Sequence, residues 1–405
     1  MFKNRKISWK RNLACIWVGQ LLAMAGTSLV IPFIPLFLRE KFGMTDEARA
    51  IAVSIFFSVG LVSFCIANPV WGAVGDRFGR KLMLLRAYFI TAITFPALYF
   101  MPNWGLLMVM RCISSFFSGT VSAAQALVAV TTPDEHQGFA LGTLSSAFWS
   151  GNMLGMLIGG VVVHYCGYMT AFVASGVMFA IGGVLTLFGV NENFTPPVKT
   201  AEKKQKSIRN LLPDFSMSVW IIIGLLFTFA WARRCDEPFL ALLVELISGV
   251  ERAALNTGWI TALTACGGML SGVFFGFLSD RCKPLQLMIP AMAAAGGFML
   301  LQSTAQSLVV LGTARFFVFF AAGGLEPIFL AMLSHTVSKE RRGTAFGWSA
   351  SFRMFGGMFG AVTGGAVIAL TGTRGVFAFA GILMLCMIPL MLIVIPAIER
   401  LREKK

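Results

Sequence analysis

The chain has 405 residues, of which 57% are hydrophobic and only 13% charged, with a mean hydropathy of +0.78. Those values exclude an ordinary soluble domain and place the chain in a bilayer. A net charge of +15 would suggest nucleic acid in a soluble protein. In a membrane chain the cations answer to topology instead, and no nucleic-acid partner is expected.

Crossing a hydrocarbon core of roughly 30 Å takes about 20 helical residues. Twelve stretches reach that length: 13–38, 51–72, 83–101, 105–131, 138–163, 169–190, 217–247, 256–278, 285–304, 308–334, 343–370 and 374–397. With the N-terminus inside, most of the 33 Lys and Arg fall in cytoplasmic segments, which is the positive-inside distribution. Lys3, Arg5, Lys6, Lys10 and Arg11 precede an apolar run too long for a signal h-region, without a small-x-small cleavage site. That run is read as a retained first span, which puts both termini in the cytoplasm.

Span 2 ends in Gly72-x-x-x-Asp76-Arg77-x-Gly79-Arg80-Lys81, and span 8 ends in a partial copy, Gly276-x-x-x-Asp280-Arg281, followed by Lys283. Arg111 and Gly119 of span 4 recur in the same register as Arg315 and Gly323 of span 10. In span 5, Gly138-x-Ala140-x-Gly142 and then Gly151, Gly155, Gly159 and Gly160 recur in span 11 as Gly343-x-Ala345-x-Gly347 and Gly356, Gly360, Gly364 and Gly365. The chain therefore reads as a tandem duplication. Its halves are residues 1–190 and 214–405, joined by a solvated cytoplasmic linker at 191–213 that carries Pro196, Pro197, Lys199, Lys203, Lys204, Lys206 and Arg209. Glycines four apart clear one helix face so that two backbones can approach closely in lipid. Spans 5 and 11 are thus expected to make the contacts between the halves.

Ionisable residues inside a span are costly and face a water-filled path or a partner. Span 7 carries Arg233-Arg234-Cys235-Asp236-Glu237-Pro238 in its outer half. Either the helix ends there and the charges belong to the rim, or it continues to Glu245 and they line a cavity or its gate. The length of the run and the repeat favour the second. Glu326 of span 10 is a lone acid in an otherwise apolar helix and is the first proton-coupling candidate, with an ion pair to Arg353 or Arg315 as the alternative. Asp236, Glu237 and Arg111 complete that set, and no acid lies within any span of the first half. Gln20, Gln125 and Asn152 are substrate-binding candidates because a buried amide needs partners and a cavity supplies them. Trp149 could stack on a ligand, and Arg233, Arg234 and Arg353 could receive an anionic one.

The eight Cys contain no C-x-x-C, no His stands at ligand spacing, and HExxH, Walker A and G-x-S-x-G patterns are absent. No metal, cofactor or enzymatic chemistry is expected.

The loop pattern after span 2, the duplicated six spans and Arg111 together resemble the major facilitator superfamily, from about Trp9 to about Pro396. Two departures stand out. Ser115 occupies a position where the family usually has glycine, and Met156 stands where the span-5 antiporter pattern around Gly151–Gly160 usually has proline. The patches Trp9–Leu13, Gly79–Arg86 and Ala140–Ser145 are similar to bacterial multidrug efflux pumps of the MdtG type, in the twelve-span drug:proton antiporter branch.

The resemblance implies an all-α integral membrane protein of twelve transmembrane helices in two pseudo-symmetric six-helix halves. It implies proton-coupled efflux of small amphipathic compounds by alternating access. The alternative is a dedicated exporter or importer of an anionic metabolite, such as a carboxylate siderophore. A small-molecule substrate, protons and the bilayer are the implied partners, for a monomer in the bacterial inner (cytoplasmic) membrane. The resemblance also assigns Gly72, Asp76, Arg77, Gly79, Arg80 and Lys81, with Asp280 and Arg281, to a conformational latch. In it Asp76 meets the start of span 11 near Gly343, while Arg77 and Arg80 anchor or compete for the acid.

Overall fold

The computed structural model describes residues 8–133, 136–192, 215–279, 282, 284–337 and 342–403. Most of the linker, together with Asp280 and Arg281 of the latch, lies outside the described residues, as does the side chain of Asp76. The regular structure of the described residues is helical. In chain order the helices are α1 Trp9–Ser28, α2 Ile34–Phe42, α3 Asp46–Phe78, α4 Arg80–Phe100, α5 Trp104–Phe117, α6 Thr120–Thr131, α7 Gln137–Gly189 and α8 Met217–Arg234. They continue with α9 Leu240–Ser248, α10 Ala253–Ser279, α11 Pro284–Thr304, α12 Leu308–Gly323, α13 Leu325–Thr336, α14 Arg342–Thr371 and α15 Thr373–Glu403.

Each predicted span falls on helix. Among the described residues, 10 stretches are long and apolar enough to cross a membrane. One of them, Phe139–Gly189, runs for 51 residues, far more than one crossing needs, and it turns at Gly167, whose φ of 77° is left-handed. The repeat reproduces that turn at Gly372, between α14 and α15, with φ 78°. Helix starts follow it too: the Asn103 side chain accepts the Leu106 N–H at 2.9 Å to cap α5, and the Ser307 side chain accepts the Val310 N–H at 3.3 Å to cap α12.

Four spans are broken in matched pairs. Spans 1 and 7 open at short 3₁₀ turns, Ile31–Phe33 and Glu237–Phe239, each with a proline inside (Pro32 and Pro238). Proline there removes a backbone donor and interrupts the ladder of helical hydrogen bonds. Span 7 then resumes as α9, which carries Glu245. Spans 4 and 10 break at Ser118–Gly119 and at Gly324. The Ser118 carbonyl accepts from Arg86 Nη2 at 3.1 Å, so a side chain from α4 satisfies an acceptor that the break leaves open.

The chain divides into two compact units. The first gathers the described residues of Met1–Met44, Val59–Val198 and Gly249–Ala262; the second gathers those of Thr45–Ser58, Lys199–Ser248 and Leu263–Lys405.

In the first unit, α1 lies along the first part of α7. A Cβ on Gly151, Gly155 or Gly159 would collide with the backbone at Leu21, Ala25 or Leu29 respectively. The second part of α7 meets α4, where Gly176 faces Ala92 and Pro96. Leu13, Ile16, Ala23, Leu84, Tyr88, Ala124, Leu127 and Phe179 fill the space between these helices.

In the second unit, α8 lies along α14, with Gly356, Gly360 and Gly364 against the backbone at Phe227, Trp231 and Cys235. α11 meets α15 through Gly296 and Gly381.

These contacts correct the sequence expectation for the glycine ladders of spans 5 and 11. Three glycines of each ladder pack against the first span of their own half. The last of each ladder meets a helix from the other half of the sequence, as the ladders are expected to: Gly160 faces Ala254 and Gly258 of α10, and Gly365 faces Ala50 and Ser54 of α3.

Candidate functional site

The break in span 7 concentrates charge. α8 ends in Arg233 and Arg234, cations at a helix C-terminus where the peptide dipoles favour them. Arg233 turns its guanidinium onto the ring of Phe319, 4.2 Å from the centroid. Asp236, fully buried just beyond the break, ion-pairs with Arg315 of α12, itself fully buried. Arg315 Nη1 also donates to Gln302 Oε1 at 3.3 Å, leaving Asp236 Oδ1 and Gln302 Nε2 without partners among the described residues. A pair this dry is stable only while both members keep their charge.

Glu326, in the first turn of α13, ion-pairs with Arg353 of α14, and its side chain is 43% exposed. This corrects the picture of a lone acid deep in an apolar helix: the partner alternative holds, with Arg353 rather than Arg315, because Arg315 is taken by Asp236. Arg234 is exposed and makes no side-chain hydrogen bond among the described residues. Its stem passes over Gly357, whose Cβ would sit 2.8 Å from Arg234 Cδ. Glu237 is exposed in the turn and forms no ion pair with Arg234 among the described residues.

In the first unit the polar groups are more scattered. Gln20 is fully buried on the core face of α1, and neither end of its amide has a hydrogen-bond partner among the described residues. Asn152 Oδ1 accepts from Ser28 Oγ at 2.5 Å, beside the break in span 1, and its Nδ2 donates to the Phe148 carbonyl at 2.9 Å. Gln125 is exposed, and Trp149 is exposed with its ring edge-on to Phe148. Arg111 fills the space left by Gly60, where a Cβ would meet its Nη2 at 2.6 Å. An open cavity of about 670 Å³ lies at the other end of α1, among Trp9, Lys10, Trp17, His136 and Phe139. It holds none of the paired charges.

Around the latch pattern, Gly72 and Arg77 are exposed at the end of α3, and Arg77 lies 5.5 Å from the Phe78 ring. Gly79 joins α3 to α4 with φ 98°. The backbone N–H groups of Arg80 and Lys81 donate to Glu192 Oε1 and Oε2 at 3.0 and 2.8 Å, while Lys81 Nζ donates to the Leu187 carbonyl at 2.9 Å. Glu192 therefore closes the N-terminus of span 3, in the position where an acid complements the helix dipole. Sequence reading overlooked it, although an acid at the end of span 6 beside a capless helix start was the available signal. It also passed over Arg49, whose Nη1 donates to Glu245 Oε2 at 2.6 Å within the second unit. No group of three or more His, Cys, Asp or Glu among the described residues could hold a metal ion.

The Major Facilitator Superfamily model matches this chain twice, over residues 16–242 and 239–405. The chain belongs to the major facilitator superfamily. It is a multi-pass membrane transporter, not an enzyme. It is 31% identical over 375 residues to the multi-drug resistance efflux pump PmrA of Streptococcus pneumoniae serotype 4, covering 92% of this chain and 93% of that one. It is 32% identical over 373 residues to the multidrug resistance protein MdtG of Escherichia coli O1:K1 / APEC, covering 92% and 91%. Among solved structures it resembles the POT family transporter PepTSo at a TM-score of 0.77 and 14% identity, covering 97% of this chain and 99% of that one. The nucleoside transporter NupG superposes at a TM-score of 0.75 and 13% identity, covering 95% and 98%. At such identities the structural likeness speaks to the fold alone.

Proposed function

We propose that this transporter exports small amphipathic compounds in exchange for protons, by alternating access of two six-helix halves, residues 1–190 and 214–405, joined by the linker at 191–213. The reading includes twelve crossings, both termini in the cytoplasm and a monomer in the bacterial inner membrane. The observation that carries it is the Asp236–Arg315 pair at the broken middle of span 7, in a chain whose full-length relatives bear the names of multidrug pumps. A buried carboxylate with one free oxygen can take a proton, and doing so releases the arginine it holds. Glu326 with Arg353 is the second candidate for the same exchange, and Arg111, Gln20, Gln125, Asn152 and Trp149 line the proposed route in the first half.

Purified protein in liposomes with an imposed pH gradient tests this. Addition of ethidium or a similar amphipathic cation should release protons in wild type and not in Asp236→Asn. Equal proton flux with and without the compound, in wild type, would overturn the reading.

A second reading, a dedicated carrier of an anionic metabolite, is favoured by the arginines. Arg233, Arg234, Arg315 and Arg353 stand with Asp236, Glu237 and Glu326 in spans 7, 10 and 11, and the fourth acid of these spans, Glu245, is paired with Arg49.

A further inference from the structure

Four arginines of spans 7, 10 and 11, Arg233, Arg234, Arg315 and Arg353, are not equally provided for. Arg315 has Asp236, Arg353 has Glu326, and Arg233 has the face of Phe319. Arg234 has no hydrogen bond and no ion pair among the described residues, although it stands in a membrane span. An unneutralised guanidinium in such a place costs free energy and persists where it serves a ligand or a partner.

Its surroundings are shaped to keep the head free. Gly357 leaves room for the Arg234 stem, so the chain crosses α14 instead of being turned away from it. One helical turn earlier on α14 stands Arg353. Arg353 is only partly exposed, at 24%, and is shared with Glu326. Two guanidinium groups and one carboxylate thus form an accessible cluster with one positive charge to spare. The break in span 7 lies next to it, and unwound segments of paired half-helices are where transporters of this architecture open backbone and side chains to a ligand.

We propose that Arg234 receives an oxyanion carried by the transported molecule, a carboxylate or phosphonate, with Arg353 beside it. The proposal rests on the reading of the chain as a small-molecule transporter and extends its substrates to those bearing an anionic group. The planar guanidinium can bind such a group through two parallel hydrogen bonds, which a lysine cannot reproduce. A lipid phosphate headgroup has the same chemistry, so the test must separate the two sources.

Two aromatic probes of matched size serve, naphthylacetate as the anion and naphthylethylamine as the cation. Binding to the purified full chain is followed by tryptophan fluorescence, in nanodiscs of phosphatidylcholine with and without phosphatidylglycerol. Naphthylacetate should bind wild type, lose roughly tenfold or more in affinity in Arg234→Gln, and lose less in Arg234→Lys. Naphthylethylamine should bind all three alike. If Arg234→Gln does not fold, the order of wild type over Arg234→Lys for the anion alone carries the test. Equal naphthylacetate affinity in wild type and variants overturns the proposal. So does retention of phosphatidylglycerol that depends on Arg234 while naphthylacetate fails to bind, which would assign the site to lipid. Export of ethidium from vesicles without any anion binding would sink this proposal alone; absence of transport of every probe would sink the transport reading beneath it.

Discussion

The ion pair between Arg49 and Glu245 joins residues 196 positions apart in sequence, and the two helix ends that carry it are those expected to face outside. Arg49 Nη1 donates to Glu245 Oε2 at 2.6 Å, and Nη2 donates to Asp46 Oδ1 at 2.7 Å. The Arg49 and Glu245 side chains are only 4% and 9% exposed, whereas Asp46 is 85% exposed. Removing Glu245 therefore takes a buried carboxylate away from a buried guanidinium, whose contact with Asp46 lies in solvent. Breaking a buried pair costs about 3–5 kcal/mol, and the surviving Asp46 contact argues for the lower end. An exposed pair one helical turn apart contributes about 0.3–0.5 kcal/mol, so Asp46→Ala should cost little.

At about 3 kcal/mol, Glu245→Gln should favour separation of the two helix ends by roughly a hundredfold. Ser54→Cys, placed in a background without the eight native cysteines, reports on this, because Ser54 abuts Gly365 while the ends are packed. The rate of labelling by a membrane-impermeant maleimide should rise steeply in Glu245→Gln and hardly at all in Asp46→Ala. The reasoning fails if the two variants label alike, or if Glu245→Gln labels no faster than its parent.

The other expected outcomes follow from named contacts. Asp236→Ala should destabilise the purified protein by about 3–5 kcal/mol, whereas Asp236→Met combined with Arg315→Met should recover most of the melting temperature yet remain uncoupled from protons. Gly155→Leu places a side chain into the Ala25 backbone and should cost at least about 1–3 kcal/mol, while Gly142→Ala, where a Cβ meets nothing within 4 Å, should be neutral by the same thermal assay. Glu192→Ala should cost about 0.5–2 kcal/mol by uncapping α4, with Glu192→Gln recovering part of it, measured as denaturation midpoints in detergent.

Much of this architecture is legible in the sequence because the bilayer imposes few solutions. Apolar run length sets the spans, and the recurrence of Arg111 with Gly119 and of the glycine ladders sets the duplication. What the sequence does not carry is the choice of partner. A glycine every fourth residue says that some backbone comes close, but Gly151 and Gly356 do not say whose, and the answer is α1 and α8. Glu326, Arg353, Arg315 and Asp236 could pair in several ways by charge alone. The pairing follows from where the breaks at Glu237–Phe239 and Gly324 aim the side chains. Arg49 lies just before the apolar run of span 2 and drew no notice in sequence, and only the packing of α3 makes it the buried partner of Glu245.

The last glycine of each ladder shows how far the duplication carries and where it stops. Gly160 meets Ala254 and Gly258 within the first unit, and Gly365 meets Ala50 and Ser54 within the second, so each half lends the start of its second span to the fifth span of the other. The contacting positions, Ala50 with Ala254 and Ser54 with Gly258, are repeat equivalents. The charges are not. Arg49 has Ala253 as its equivalent, so the seam at Gly365 adds an ion pair to its small residues, and the seam at Gly160 has no charge at that position to form one. Close-packed small residues separate without leaving a charge behind, but a buried guanidinium cannot part from its carboxylate at the same cost. Two seams built on one plan therefore differ in how firmly they hold, and the firmer is the one whose strength a change at a single carboxylate, Glu245, would alter.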